Sequence, residues 1–103
     1  MRETKTLILS SLDNSNKKAV LNIDLDTEGY SGSLRLYNFK QQPQGILTLG
    51  FLIGDEVYKA ALSEKSNGLY SFNFKASKNV DKFSCALINI LGGEPRPLLV
   101  ETS

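Results

Sequence analysis

The stretch Gly45 to Leu62, GILTLGFLIGDEVYKAAL, leaves this chain few ways to fold. An apolar run, Ile46 to Ile53, meets Gly54-Asp55 and is followed by a second run, Glu56 to Leu62, whose side chains alternate in character. Gly54 can take positive φ without a Cβ penalty. Gly54-Asp55 therefore suits a type II′ turn with glycine at its first central position, and the twist of that turn matches the strands on either side. The pattern predicts a β-hairpin. The first run has little polarity on either face, which a strand tolerates when both faces are covered, so Ile46 to Ile53 is expected near the middle of a sheet.

The rest of the chain repeats the strand signal. Thr6 to Leu12 reads as a first strand, ended by the turn-forming cluster Asp13-Asn14-Ser15-Asn16. Ala19 to Asp26 alternates cleanly, with Leu21, Ile23 and Leu25 on one face and Asn22, Asp24 and Asp26 on the other. Glu28-Gly29 turns the chain into Ser33 to Phe39, where Leu34 and Leu36 oppose Arg35, Tyr37 and Phe39. The polar segment Lys40 to Gly45 reads as loop, since Pro43 has no N–H to donate.

Beyond the central hairpin, Ser63 to Gly68 reads as loop, closed by the turn signal Asn67-Gly68. Leu69 to Lys75 then alternates, placing Tyr70, Phe72 and Phe74 on a face expected to point inward, where each ring can bury ~150–250 Å². Ala76 to Lys82 is a polar connection with room for one helical turn capped by Ser77 or Asn79. Phe83 to Leu91 is apolar on both faces; its length, its β-branched residues and the Gly92-Gly93 that follows favour a strand over a buried helix. Glu94-Pro95-Arg96-Pro97 reads as an extended link unable to join a ladder at its prolines, and Leu98 to Glu101 as a short last strand at a sheet edge.

About eight short, mainly antiparallel strands follow, with no amphipathic helix and no fixed repeat, so the class is all-β. Two strands apolar on both faces beside others with one wet face favour a two-sheet β-sandwich; a small closed β-barrel satisfies the same pattern. At 103 residues, 1–103 is one domain, of a size that a longer protein could also carry. The hydrophobic share of 41% and charged share of 22% are those of a folded, soluble domain rather than a disordered one.

Twelve basic and eleven acidic residues give a net charge of +1, with no run of like charge longer than Lys17-Lys18. Binding to nucleic acid or to an anionic membrane depends on clustered positive charge, so neither is expected. Cys85 is the single cysteine and cannot form an internal disulfide. Together with the absence of a visible signal peptide or membrane-length apolar run, this points to a cytoplasmic protein.

Residue types also limit the chemistry. Histidine is absent, which removes the usual general base near neutral pH, the usual partner of a Ser or Cys nucleophile and the commonest metal ligand. Gly29-Tyr30-Ser31-Gly32-Ser33 lacks the spacing of a phosphate loop and the Lys-Ser/Thr that ends one. Asp24-Leu25-Asp26-Thr27-Glu28-Gly29 begins like a calcium loop, but Arg35 stands where a bidentate glutamate is needed. Ser15 and Lys18 have a Ser-x-x-Lys spacing that is useful only at a helix start, and here they fall in a turn. Cys85, within an apolar run, reads as a small buried hydrophobe rather than a reactive thiolate. No cofactor, metal site or catalytic set is expected.

The remaining candidates are surface groups. Tyr37 and Tyr58 are each opposite in parity to a neighbour expected to be buried, Leu36 and Val57. Leu99 lies in a predicted edge strand with three consecutive apolar residues and one inner face to hide them in. These three are the expected partner-binding residues of a non-enzymatic protein-interaction or assembly module, binding a protein partner or a copy of itself. A carbohydrate-binding β-sandwich is the alternative, with a glycan as partner; the lack of tryptophan counts against it.

Overall fold

The computed structural model describes residues 3–13, 15–26, 29–75 and 83–102. Among these, no helix forms and nine strands do: β1 Glu3–Ser10, β2 Lys18–Asp26, β3 Gly29–Tyr37, β4 Ile46–Ile53, β5 Glu56–Ala61, β6 Ser63–Ser66, β7 Leu69–Phe74, β8 Ser84–Leu91 and β9 Glu94–Thr102. The expected helical turn with Ser77 or Asn79, and Thr27-Glu28 of the calcium-like stretch, lie outside the described residues. All pairings are antiparallel, in the order β5-β4-β8-β9-β1-β2-β3-β7-β6.

The two ends of that order are consecutive in the chain. β5 ends at Ala61 and β6 begins at Ser63, so Leu62 alone links the first strand of the sheet to the last. Two Cα–Cα steps reach at most ~7 Å. The ends of the sheet therefore meet, and it curls into a nearly closed barrel. A single bent segment closes the seam, bonded to β4 along β5 and to β7 along β6. The all-β class and the antiparallel pairing are those expected. One continuous sheet whose opposite walls share a core matches the barrel alternative more closely than two separate layers.

The turn chemistry behaves as the residues require. Gly54 has φ +63° and Asp55 is not in the positive-φ region, the combination of a type II′ turn. At Gly92-Gly93 both residues have positive φ, as a type I′ turn needs. This second hairpin explains how β9 accommodates its prolines, which was not expected. Leu91 and Glu94 flank a two-residue turn and exchange hydrogen bonds, so Ile90↔Pro95 and Ile88↔Pro97 fall on the alternate, non-bonded pairs. The proline nitrogens face away from β8, toward an edge that β1 reaches only at Val100–Thr102.

The last strand is also not at an edge. β9 runs between β8 and β1, and a β-bulge between the pairs Leu87↔Leu99 and Ile88↔Pro97 leaves Leu98 as the extra residue. Leu98 and Leu99 can then both pack on the core, with Leu99 at 0% exposure. The difficulty of three consecutive apolar residues is resolved by local backbone geometry. β6 was expected as loop because Ser63–Ser66 has no apolar period; its strand conformation comes from pairing with β7.

Inside the barrel, the inward rows are the ones periodicity selects. Leu21, Ile23 and Leu25 of β2, Leu34 of β3, and Tyr70 and Phe72 of β7 are buried, and Phe74 packs on the same core. β4 sends Leu47, Leu49, Phe51 and Ile53 inward. Gly32 sits in an inward position of β3 where a Cβ would lie 2.0 Å from the Asn22 carbonyl oxygen, so only glycine lets the sheet curl this tightly there. Phe39 lies beyond β3. Asn38, with φ +66°, turns the chain so that the Phe39 ring folds back onto the core instead of following Tyr37 outward.

Candidate functional site

The outer surface divides into two unlike halves. On β1, β2 and β3 the outward row is mainly polar, apart from the pair Ile8↔Val20: Thr4 donates to Asp24 at 2.7 Å and Thr6 to Asn22 at 2.8 Å, beside Ser31 and Ser33. On β5, β4 and β8 it is mainly apolar, interrupted by Lys59, Thr48 and Ser84. Leu52 pairs with Val57, Gly50 with Ala86 and Ile46 with Ile90, all on the outer face. Ile46, Leu52 and Val57 are 64%, 48% and 66% exposed. The expectation that both faces of Ile46 to Ile53 are covered thus holds inside, and outside only at Thr48 and Gly50. Ile88 leans across Gly50, its Cδ1 2.9 Å from where a Cβ would sit. Between Ile88 and the Leu52–Val57 ridge runs a groove of about 600 Å³ floored by Gly50, Ala86 and Val100.

Of the three residues singled out from sequence, only Tyr37 stands outward as expected, 40% exposed, with the Lys18 ammonium 5.8 Å from its ring centroid. Tyr58 is reversed. It pairs with Phe51 and therefore shares the inward face; its ring lies 6.0 Å from Phe74 and its hydroxyl donates to Glu56. Val57, expected inside, is the exposed member. Leu99 is fully buried and offers no partner surface. The structure does not bring the three together.

A second concavity, of about 1000 Å³, opens at the barrel end where the loops 11–17 and 38–45 meet the start of β4. Six of its lining residues carry amides: Asn16, Asn38, Gln41, Gln42, Gln44 and Asn89. Two of these hold the loop: Asn38 Nδ2 donates to the Asn16 carbonyl at 2.8 Å, and Gln42 Nε2 donates to the Tyr70 hydroxyl at 2.6 Å and to Glu64. Asn89 Oδ1 is buried at the floor and accepts no hydrogen bond from the described residues. Gly45, at φ +88°, lies against it; a Cβ there would come within 2.6 Å of Oδ1. Phe39 forms part of the wall, with the Lys17 ammonium 5.6 Å from its ring centroid. The only marks these residues leave in the sequence are the amide-rich segment 40–44 and a lone Asn in the apolar run 83–91, and neither names a site.

The other candidates are placed as follows. Ser15 belongs to a loop knot in which its N–H donates to Asp13 at 2.8 Å and its hydroxyl lies 2.9 Å from that of Ser11. Hydrogen bonds from Ser15 foremost, then from Ser11, hold the Asp13 carboxyl below its usual range. Lys18 reaches Tyr37 rather than Ser15. Cys85 is buried, and burial, followed by the nearby Glu101 carboxylate, pushes its thiol up to about 12. Glu101 accepts the Cys85 backbone N–H at 3.1 Å. Among the described residues, no group of three or more His, Cys, Asp or Glu is placed to hold a metal ion, and no helix is long and apolar enough to cross a membrane.

Comparison with protein-family models, curated proteins and solved structures found no match to this chain. Any functional reading therefore rests on the two surfaces just described.

Proposed function

We propose that the chain is a non-enzymatic assembly module that pairs with a second copy of itself through the outer face of β5, β4 and β8. The observation that carries this reading is the cluster of exposed apolar side chains on that face, Ile46, Leu52 and Val57 with Ala86 and Ile88, broken only by Thr48, Lys59 and Ser84, beside a mainly polar row on β1, β2 and β3. A two-fold interface places one patch against itself, so ridge and groove must lie side by side on the same surface. Here the Leu52–Val57 ridge borders the Gly50–Ala86 groove, so the ridge of one copy can seat in the groove of the other. A net charge of +1 puts little repulsion between copies. The buried lone thiol is in keeping with a reducing, cytoplasmic setting.

Sedimentation of the parent chain over a wide concentration range, beside Leu52→Lys and Val57→Lys, tests the reading. The parent is expected to reach twice the monomer mass. Each variant should stay monomeric, because an unpaired ammonium buried at the interface costs several kcal/mol and weakens association more than ~100-fold. Both positions are outward and exposed, so the variants should melt with the parent. A parent that remains monomeric throughout, or variants that pair as well as it does, would rule the interface out.

A further inference from the structure

We propose that the cleft at the loop end of the barrel binds an oligosaccharide, with the Phe39 ring as a platform and the side chains of Asn16, Gln41, Gln44 and Asn89 as hydroxyl-binding groups. The cleft, at about 1000 Å³, is at the upper end of the ~300–1,000 Å³ range of small-molecule sites. Its chemistry is specific. A planar amide presents one acceptor and two donors, and neighbouring sugar hydroxyls each both donate and accept, so an amide can bond two of them at once. The side chains of Asn16, Gln41 and Gln44 make no hydrogen bond among the described residues and are free for such pairing, whereas Asn38 and Gln42 are spent on holding the loop. Asn89 Oδ1 adds a buried acceptor without a protein donor at the floor. Phe39, half-buried in the wall beside these groups, offers the part of its ring that lines the cleft to the C–H side of a sugar ring.

The alternatives fit less well. An extended peptide joining the barrel at this end would need strand N–H groups, and the open edge there belongs to β9 at Pro95 and Pro97, which have none. The lining contains Lys17 and Lys40 and no carboxylate, so acidic as well as neutral sugars can enter.

The test is an array of neutral and uronate-bearing oligosaccharides probed with the parent chain, followed by titration of whatever it retains. At least one oligosaccharide should bind. Its affinity should fall tenfold or more in Phe39→Ala and in the double variant Gln41→Ala/Gln44→Ala, and remain unchanged in Thr4→Ala on the outer face of β1. The two glutamines are exposed, so their removal leaves the fold intact even if loss of the Phe39 ring does not. No retention of any oligosaccharide, or undiminished binding by the double variant, overturns the proposal.

Discussion

At the barrel end nearest Gly54, Phe51 lies 5.9, 4.6 and 5.8 Å from the rings of Phe72, Phe74 and Phe83, and Tyr30 stacks on Phe74 at 4.8 Å. At the opposite end the filling changes from rings to amides, and a cleft of about 1000 Å³ replaces close packing. Both ends are lined by the same strands. What differs is which residues fill the interior there: Phe51, Tyr30 and Phe74 at one end, Asn89 and the loop residue Phe39 at the other. Aromatic burial is concentrated at one end of a single core. The loop end carries polar groups and open space instead.

The largest expected effect tests whether the aromatic end holds the barrel together. Phe51→Ala should lower unfolding free energy by ~3–5 kcal/mol in denaturant titration, because truncating a fully buried ring loses transfer energy and leaves a cavity. Phe72→Ala should fall in the same range. A loss below ~1 kcal/mol at both would mean that the two ends do not differ in packing.

A second measurement probes how dry that end is. The folded protein holds the Cys85 thiol proton up to about 12, against an ordinary value of 9.0. Between these values the native state binds the proton more tightly than the unfolded chain, so stability falls as pH rises, by up to ~1.4 kcal/mol per pH unit from this group. The parent should therefore lose stability faster than Cys85→Ala from about pH 9 upward. Parallel pH profiles would show that water reaches the thiol.

The smallest effect sharpens the comparison from the loop end. Asn89→Leu removes a buried acceptor that the protein leaves unpaired, and should raise stability by ~1 kcal/mol while abolishing any oligosaccharide binding in the cleft. A clear loss of stability would show instead that the amide is part of the packing.

Much of the fold could be read from residues alone wherever the signal was local. The β4–β5 hairpin, with its type II′ turn at Gly54, and the inward rows Leu21-Ile23-Leu25 and Tyr70-Phe72-Phe74 needed nothing beyond period-two alternation and glycine at positive φ. The candidate sites were less legible. Tyr58 and Val57 are both apolar enough to face either way, and their orientation was decided by pairing with Phe51 and Leu52 across the hairpin. Leu98 and Leu99 violate alternation, and only the bulge opposite β8 shows how both can pack on the core. The cleft gathers the loops 11–17 and 38–45 and Asn89, segments far apart in sequence whose amides have no period to detect. Sequence by itself determined the all-β class, most of the strands and the tight turns at Gly54 and Gly92-Gly93, because those depend on the chain's own backbone and nearest neighbours. Ser63–Ser66 and residues 94–97 became strand only through their partners. The closure of the sheet through Leu62, the interior place of β9 and the two unlike ends of the barrel were settled by long-range pairing, whose partners no single segment encodes.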